Sequence, residues 1–524
     1  MKGNFLCLMI LGGWPLIVLI FFKMQKPRQA MITTFWGAVM FLPMDNLSNF
    51  TPLIDYHKLS AASLGAFLGA ALFDRERLMS YSFHPVDIPI FICCGCGFVT
   101  SVLNGIGAYD GFNVVVNTSL MWGVPYFIGR FYFSDPDGLK LLCRAIFIGG
   151  LIYIPFILYE LKMSPNLHWM VWGYAQHSFL QTLRGGGYRP MVFMQHGIMV
   201  GMWTAMASLT AIWCVYAKTF SGKMRGIPVG LLVFIVSIAT IACKSTAATG
   251  WLAIGIVFLF VSTKMKTTFF ICLLLAIPPA YMITRGSEYW DGQNLVTLIS
   301  DTIGEERAQS LDFRFQNENI LVEKAMERPV FGWGGWDRSR VFNEEGEDIS
   351  VTDGFWIIIL GTKGFVGLLS TTLVMMLPMI LLVLKCPPSL WKRPEYAPVA
   401  VLPLIVLLFT VDCLLNFMMN PIYIIFAGGV STMLGIYGIR PIQYPVRARV
   451  TTAQDALEPD TKFRSVNICS VLGQRRKELH QISRNRHKTR FGVGALGYQR
   501  TRFIQDVSHG ITRQLTDKTM LRKR

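Results

Sequence analysis

GIMVGMWTAMASLTAIWCVYA, residues 197–217, and GIPVGLLVFIVSIATIAC, residues 226–243, decide the class of this chain. Each runs close to the ~20 residues that cross a hydrocarbon core. Neither keeps the polar face of a surface helix in a soluble domain. In lipid a helix satisfies every backbone group within one segment, so both are read as spanning helices. The whole 524-residue chain is 52% apolar and 15% charged, against about 25% charged in soluble domains.

Working outward, the apolar runs predict an all-α, polytopic transmembrane bundle over 1–438 with about thirteen spans, within a range of about 11–14. They fall near 4–22, 30–44, 59–73, 88–108, 112–129, 141–160, 196–217, 226–243, 247–263, 267–283, 365–384, 397–417 and 421–438. The first run lacks a small-residue cleavage site before Lys23 and reads as an anchor. Loops after the odd-numbered spans carry most of the lysines and arginines, for example Lys23, Arg75, Arg130, Lys218, Lys264 and Lys385. This alternation predicts an outside N-terminus and inside odd loops in a bacterial-type cytoplasmic membrane.

The net charge of +17 is concentrated at one end. Residues 439–524 hold 19 Lys or Arg against 6 acids, and so supply +13. The segment is expected to be a disordered cytoplasmic tail beside an anionic leaflet, and no nucleic-acid partner is needed to explain the surplus. The 11 cysteines include Cys93, Cys94 and Cys96 inside an apolar run, without ligand spacing. Neither a metal, another cofactor nor a disulfide framework is expected.

Two large loops are expected on the outer face, 161–195 and 284–364. The second holds 15 acids and 8 basic residues. Its section LDFRFQNENILVEKAMERP, 311–329, spaces Phe313, Ile320, Leu321 and Met326 as one face of an amphipathic helix ending before Pro329. No phosphate loop, dinucleotide fingerprint, nucleophile elbow or zinc helix is present. Instead Arg184, Arg189 and Arg314 fall in the two loops, with Lys244 in a nearby turn. A guanidinium is a planar fork that suits phosphate oxygens, and Gly185, Gly186 and Gly187 let backbone amides approach an anion. Asp353 reads either as a helix N-cap or as a functional acid, and His196 either as a helix-start residue or as a base.

The order of these elements resembles the bacterial O-antigen ligase/polymerase-like membrane proteins over about 184–385. Arg189-Pro190-Met191-Val192-Phe193 and Gln195-His196 precede a span. Lys244-Ser245-Thr246-Ala247 sits in the next hairpin turn, without the family's arginine after the serine. Arg314 opens a helix ending in Glu327-Arg328-Pro329-Val330-Phe331-Gly332-Trp333-Gly334. Gly364-Phe365-Val366-Gly367 follows, and Asp353-Gly354 stands where the family has His-Asn. The resemblance implies a metal-independent glycosyltransferase. It takes a polyprenyl-diphosphate-linked glycan as donor and an acceptor glycan at the outer face, beside the bilayer and other polysaccharide-assembly proteins. Arg184, Arg189, Arg314 and Lys244 would hold the diphosphate, with Asp353 as base and His196 as the second choice. The competing expectations are a lipid-linked sugar flippase and a non-catalytic assembly subunit.

Overall fold

A helix that is apolar on every side is stable either in lipid or deep among other helices, and this chain uses both placements. The computed structural model describes residues 3–47, 53–184, 186–302, 304–335 and 337–438. The basic segment 439–524, expected as a disordered tail, lies outside the described residues, as does Gly185. In chain order the helices are α1 (Phe5–Met24), α2 (Pro27–Phe41), α3 (Lys58–Phe73), α4 (Arg75–Met79), α5 (Ile88–Leu103) and α6 (Ala108–Thr118). Next come α7 (Val124–Tyr132), α8 (Pro136–Met163), α9 (Leu167–Trp172), α10 (Gly197–Tyr216), α11 (Val229–Ala242) and α12 (Thr246–Met265). The last are α13 (Phe269–Gly286), α14 (Gln293–Thr302), α15 (Glu305–Met326), α16 (Phe355–Lys385), α17 (Ala397–Asp412) and α18 (Pro421–Thr432). Two small antiparallel hairpins interrupt them: β1 (Leu183–Arg184) with β2 (Gly187–Tyr188), and β3 (Lys223–Met224) with β4 (Ile227–Pro228).

The expected count of about thirteen spans is wrong. Among the described residues seven helices are long and apolar enough to cross a membrane: α1, Pro85–Leu103 including α5, α8, α10, α12, α13 and α16. The chain is thus a multi-span membrane protein of fewer crossings, and the loop alternation counted over thirteen spans no longer carries an orientation. Length is the reason. The other six runs fold as α2 with 15 residues, α3 with 16, α6 and α7 with 11 and 9, α11 with 14, α17 with 16 and α18 with 12. At 1.5 Å per residue even 16 residues reach about 24 Å, short of a ~30 Å core. Run 226–243 loses its first turn to β4, and run 112–129 changes to a π-helical turn at Ser119–Gly123, between α6 and α7. Every residue of α17 and α18 is buried, so their all-round apolarity answers to neighbouring helices rather than to lipid.

The loop helix α15 starts six residues before the expected 311, at Glu305. Glu305 and Glu306 occupy its first turn, where the helix dipole favours acids. Its inward face is Ala308, Leu311, Phe315, Val322 and Ala325, with Leu321 beside them, whereas Phe313 is half-exposed. A buried polar knot ties this helix to the bundle. Glu318 accepts from the Tyr281 hydroxyl at 2.8 Å, Trp356 Nε1 at 3.0 Å and Arg285 Nε at 3.2 Å. Arg285 also donates to the carbonyls of Trp290 and Phe315, both at 2.9 Å.

Within α16 the helix breaks at Gly364, with φ +63° and ψ −165°. The freed backbone groups are taken up by the segment after α15. Trp333 and Gly334 amides donate to the Gly361 and Thr362 carbonyls at 2.9 and 3.0 Å, and Phe365 and Val366 amides donate to Pro329 and Val330 carbonyls at 2.7 and 3.2 Å. The Pro329–Gly334 stretch and the Gly364–Gly367 stretch, about 30 residues apart in sequence, are therefore two halves of one joint. An added Cβ at Gly364 would stand 2.4 Å from the Val330 carbonyl carbon and oxygen. Gly364→Ala should therefore cost about 3 kcal/mol or more, because such a backbone is essentially reserved for glycine and the contact is with main chain. Gly12→Ala, with nothing within 4 Å, should be near neutral. Unfolding in detergent measures both, and equal stability of the two variants would refute the role of the joint.

Candidate functional site

The stretch between α9 and α10 carries Arg189, and it is fixed from below by one carboxylate. Glu160, near the end of α8 and 1% exposed, accepts from the Met191 and Val192 amides at 2.8 and 2.7 Å, and from Leu167 N at 3.1 Å. Val192 has φ +50°, a strained conformation for a β-branched residue. Gln176 Nε2 donates to the Val192 and Met194 carbonyls at 2.8 and 3.2 Å. On the other side the β1–β2 hairpin continues into Arg189, whose amide donates to the Thr182 carbonyl at 2.7 Å.

Arg189 is 5% exposed, and its Nε has no hydrogen-bond partner among the described residues. No carboxylate lies within ion-pair distance among the described residues. Its stem lies across Gly197, the first residue of α10, where an added Cβ would come within 2.8 Å of Arg189 Cδ. The guanidinium thus faces the positive end of a 20-residue helix. Arg184, Arg307 and Arg314 are close enough to act on it. Burial, with these cations, brings Arg189 down to about 10, so it stays charged at neutral pH.

The other expected residues converge here with differing partners. Arg184 is paired with Glu306. Lys244 Nζ donates to the Arg184 carbonyl at 3.2 Å, and passes so close to Gly187 that a Cβ there would stand 2.4 Å from it. Arg314 Nε donates to Asp353 Oδ2 at 3.2 Å. Asp353 is not a helix cap: Gly354 is the N-cap of α16, with no side-chain hydrogen bond. His196 is one: its Nδ1 accepts from the Ile198 amide at 3.1 Å. That places the ring proton on Nε2, which donates to Gln181 Oε1 at 3.2 Å. Burial, and then Arg189, His177, Arg184 and Arg314, hold His196 down to about 3. It is therefore neutral, with its lone pair committed.

Two cavities open beside this cluster, of about 430 and 240 Å3. They share Gln195 and Met419, the first reaching Thr352 and Ser350 and the second reaching His57 and Lys58. Their walls therefore run one residue from His196 and one residue from Asp353.

No family model matches this chain, and no curated protein is significantly similar to it. Sequence reasoning missed Arg307, although Arg307 and Arg314 are seven residues apart on α15, two turns of one helix face. It also missed Glu160, which looks like an ordinary acid at the end of an apolar run.

Buried neutral histidines give the fold a pH signature. His196 sits down at about 3, and burial holds His57 and His168 at about 4. In the unfolded chain each takes up a proton near pH 6.5. Between about pH 6.5 and 4 the unfolded state binds more protons, so stability is full above this window and falls as pH drops through it. The unfolding temperature in detergent should be lower at pH 5 than at pH 7.5. His196→Asn retains a capping oxygen but does not titrate, so it should shrink the drop; an unchanged drop would contradict the burial of a neutral imidazole.

Proposed function

We propose that the protein is a membrane glycosyltransferase. It joins glycan units from a polyprenyl-diphosphate-linked donor to an acceptor sugar at the outer face of a bacterial-type cytoplasmic membrane, as a polysaccharide polymerase or an O-antigen ligase does. The observation that carries this reading is Arg189: a buried guanidinium with no carboxylate in ion-pair reach among the described residues, set among Arg184, Arg307 and Arg314. An uncompensated buried charge costs several kcal/mol, and gathering further cations around it raises that cost. A diphosphate would offset it. Its lipid tail stays in the bilayer beside α12, two-thirds of which is left uncovered by other helices, while the headgroup reaches the cluster.

The arrangement suits the chemistry. The acceptor hydroxyl oxygen attacks the anomeric carbon, and the bond from that carbon to the diphosphate oxygen breaks. The bonding electron pair leaves with the diphosphate, where the arginines stabilise the developing charge. The hydroxyl proton passes to Asp353, whose Oδ2 is held by Arg314. Asp353 is preferred to His196 as base because the imidazole lone pair already accepts from the Ile198 amide. A diphosphate drawing Arg314 towards itself would release Asp353 as the donor arrives. The outward orientation is supported by Lys140, Arg144, Lys218, Lys223, Arg225, Lys264 and Lys266, which lie at the opposite end of α8, α10 and α12 and suit a cytoplasmic face.

The break in α16 is the feature that favours a transporter, since transporters build their sites on discontinuous helices with unwound backbone free for substrate. Here those backbone groups are bonded to residues 329–334, which makes the break a structural joint.

The test uses cells that depend on this chain for polymer, expressing membrane-inserted Arg189→Ala, Arg314→Ala or Asp353→Ala. Loss of one charge-stabilising donor should slow transfer about 100-fold or more, and loss of the base by a similar factor. Polymer should be lost while outward-facing lipid-linked units accumulate. Accumulation on the inner face would favour the transporter, and normal polymer from all three variants would overturn the reading.

A further inference from the structure

At the end of the bundle away from the arginine cluster, α8, α11 and the β3–β4 hairpin border a cavity of about 820 Å3. The 20 residues of α10 separate the two places by about 30 Å. Lys140, Arg144, Lys223 and Arg225 stand on the rim, against one acid, Asp137. None of the four cations has a carboxylate within ion-pair distance among the described residues. The floor is of the opposite character. It is made by Ile148 and Ile152 of α8 and Leu232 of α11, and Ile152 is 45% exposed on a helix long and apolar enough to cross the membrane.

The hairpin that carries Arg225 is itself unusual. Arg225 and Gly226 form its two-residue turn with φ +49° and +85°. This is the left-handed pair that a tight hairpin needs and that Asn-Gly normally supplies. A long cationic side chain is a costly choice at the first position, and the cost is understandable where a charge is wanted at the hairpin tip.

We propose that this cavity is a docking site for an anionic diacyl phospholipid. Lys140, Arg144, Lys223 and Arg225 hold the phosphate, and an acyl chain lies along Ile148, Ile152 and Leu232. Charge complementarity selects the occupant. A zwitterionic lipid offers no net charge to four unpaired cations, and a free anion leaves the apolar floor bare. Basic pockets between membrane helices take anionic headgroups on these grounds. The inference does not rest on the glycosyltransferase chemistry, in which these four cations enter only as a mark of the inner face.

The full-length protein, stripped of lipid in neutral detergent, is offered phosphatidylglycerol, phosphatidylcholine or inorganic phosphate, and bound lipid is counted by native mass spectrometry. Saturable binding of phosphatidylglycerol is expected, with phosphatidylcholine much weaker. Arg144→Gln with Arg225→Gln should weaken it about 25-fold, at about fivefold per charge removed. Arg144→Lys with Arg225→Lys should restore most of it. Ile152→Ala, which trims the floor without placing a charge on a membrane-crossing helix, should weaken binding severalfold while leaving the unfolding temperature without lipid close to that of the natural protein. Equal binding of phosphatidylcholine, unchanged affinity in the double glutamine variant, or displacement of the lipid by inorganic phosphate at equal concentration would overturn the proposal.

Discussion

The carboxylate of Glu160 holds the arrangement together. It sits almost fully buried at the end of a 28-residue helix and accepts three backbone amides, two of them from Met191 and Val192. Each buried amide left without an acceptor would cost about 1–3 kcal/mol, and Val192 is held at φ +50° besides. These bonds force the chain between α9 and α10 into a turn that delivers Arg189 onto the first residue of α10. Without them, a buried guanidinium facing a helix N-terminus and other cations would swing to solvent.

The second half of the site arrives from the other side by a separate device. Glu318 and Arg285 lock α15 to the bundle, and the joint at Gly364 fixes where α15 ends and where the segment leading into α16 runs. Arg307 and Arg314 are thereby presented to Arg189 from a helix about 120 residues further along the chain. Two anchors of different kinds converge on one cluster. The strain tolerated at Val192 and the repulsion among the arginines both make sense if the cluster exists for an anion rather than for stability.

Much of this was written in the sequence, but unevenly. That the chain spans a membrane was legible from the number of long apolar runs; α10 alone, 83% buried, suits a core among helices as well as it suits lipid. The number of spans was not. α17 and α18 are as apolar as α12, but their length and their complete burial depend on where Pro421 and the turn after Asp412 cut the run, and on which neighbours surround them. Arg184, Arg189 and Arg314 were legible as candidate anion ligands from their glycine-rich and loop settings. Arg307 was hidden because its spacing matters only once α15 is known to begin at Glu305. The cap-like Thr352-Asp353-Gly354 pattern was ambiguous: the N-cap is Gly354, and Asp353 pairs with Arg314, a contact that no local pattern predicts. For His196 the local reading was the better guide, since the ring caps the helix it precedes.

If Arg189 is held for a diphosphate, unfolding of the purified protein depends on that ligand. A ligand at 100 times its dissociation constant stabilises the native state by about 2.7 kcal/mol. Farnesyl diphosphate should raise the unfolding temperature by several degrees and farnesyl monophosphate by less. Arg189→Gln should unfold at a higher temperature than the natural protein without ligand, because an unpaired buried charge is gone, and should lose the response to diphosphate. A diphosphate response unchanged in Arg189→Gln, or no response in the natural protein, would contradict the account.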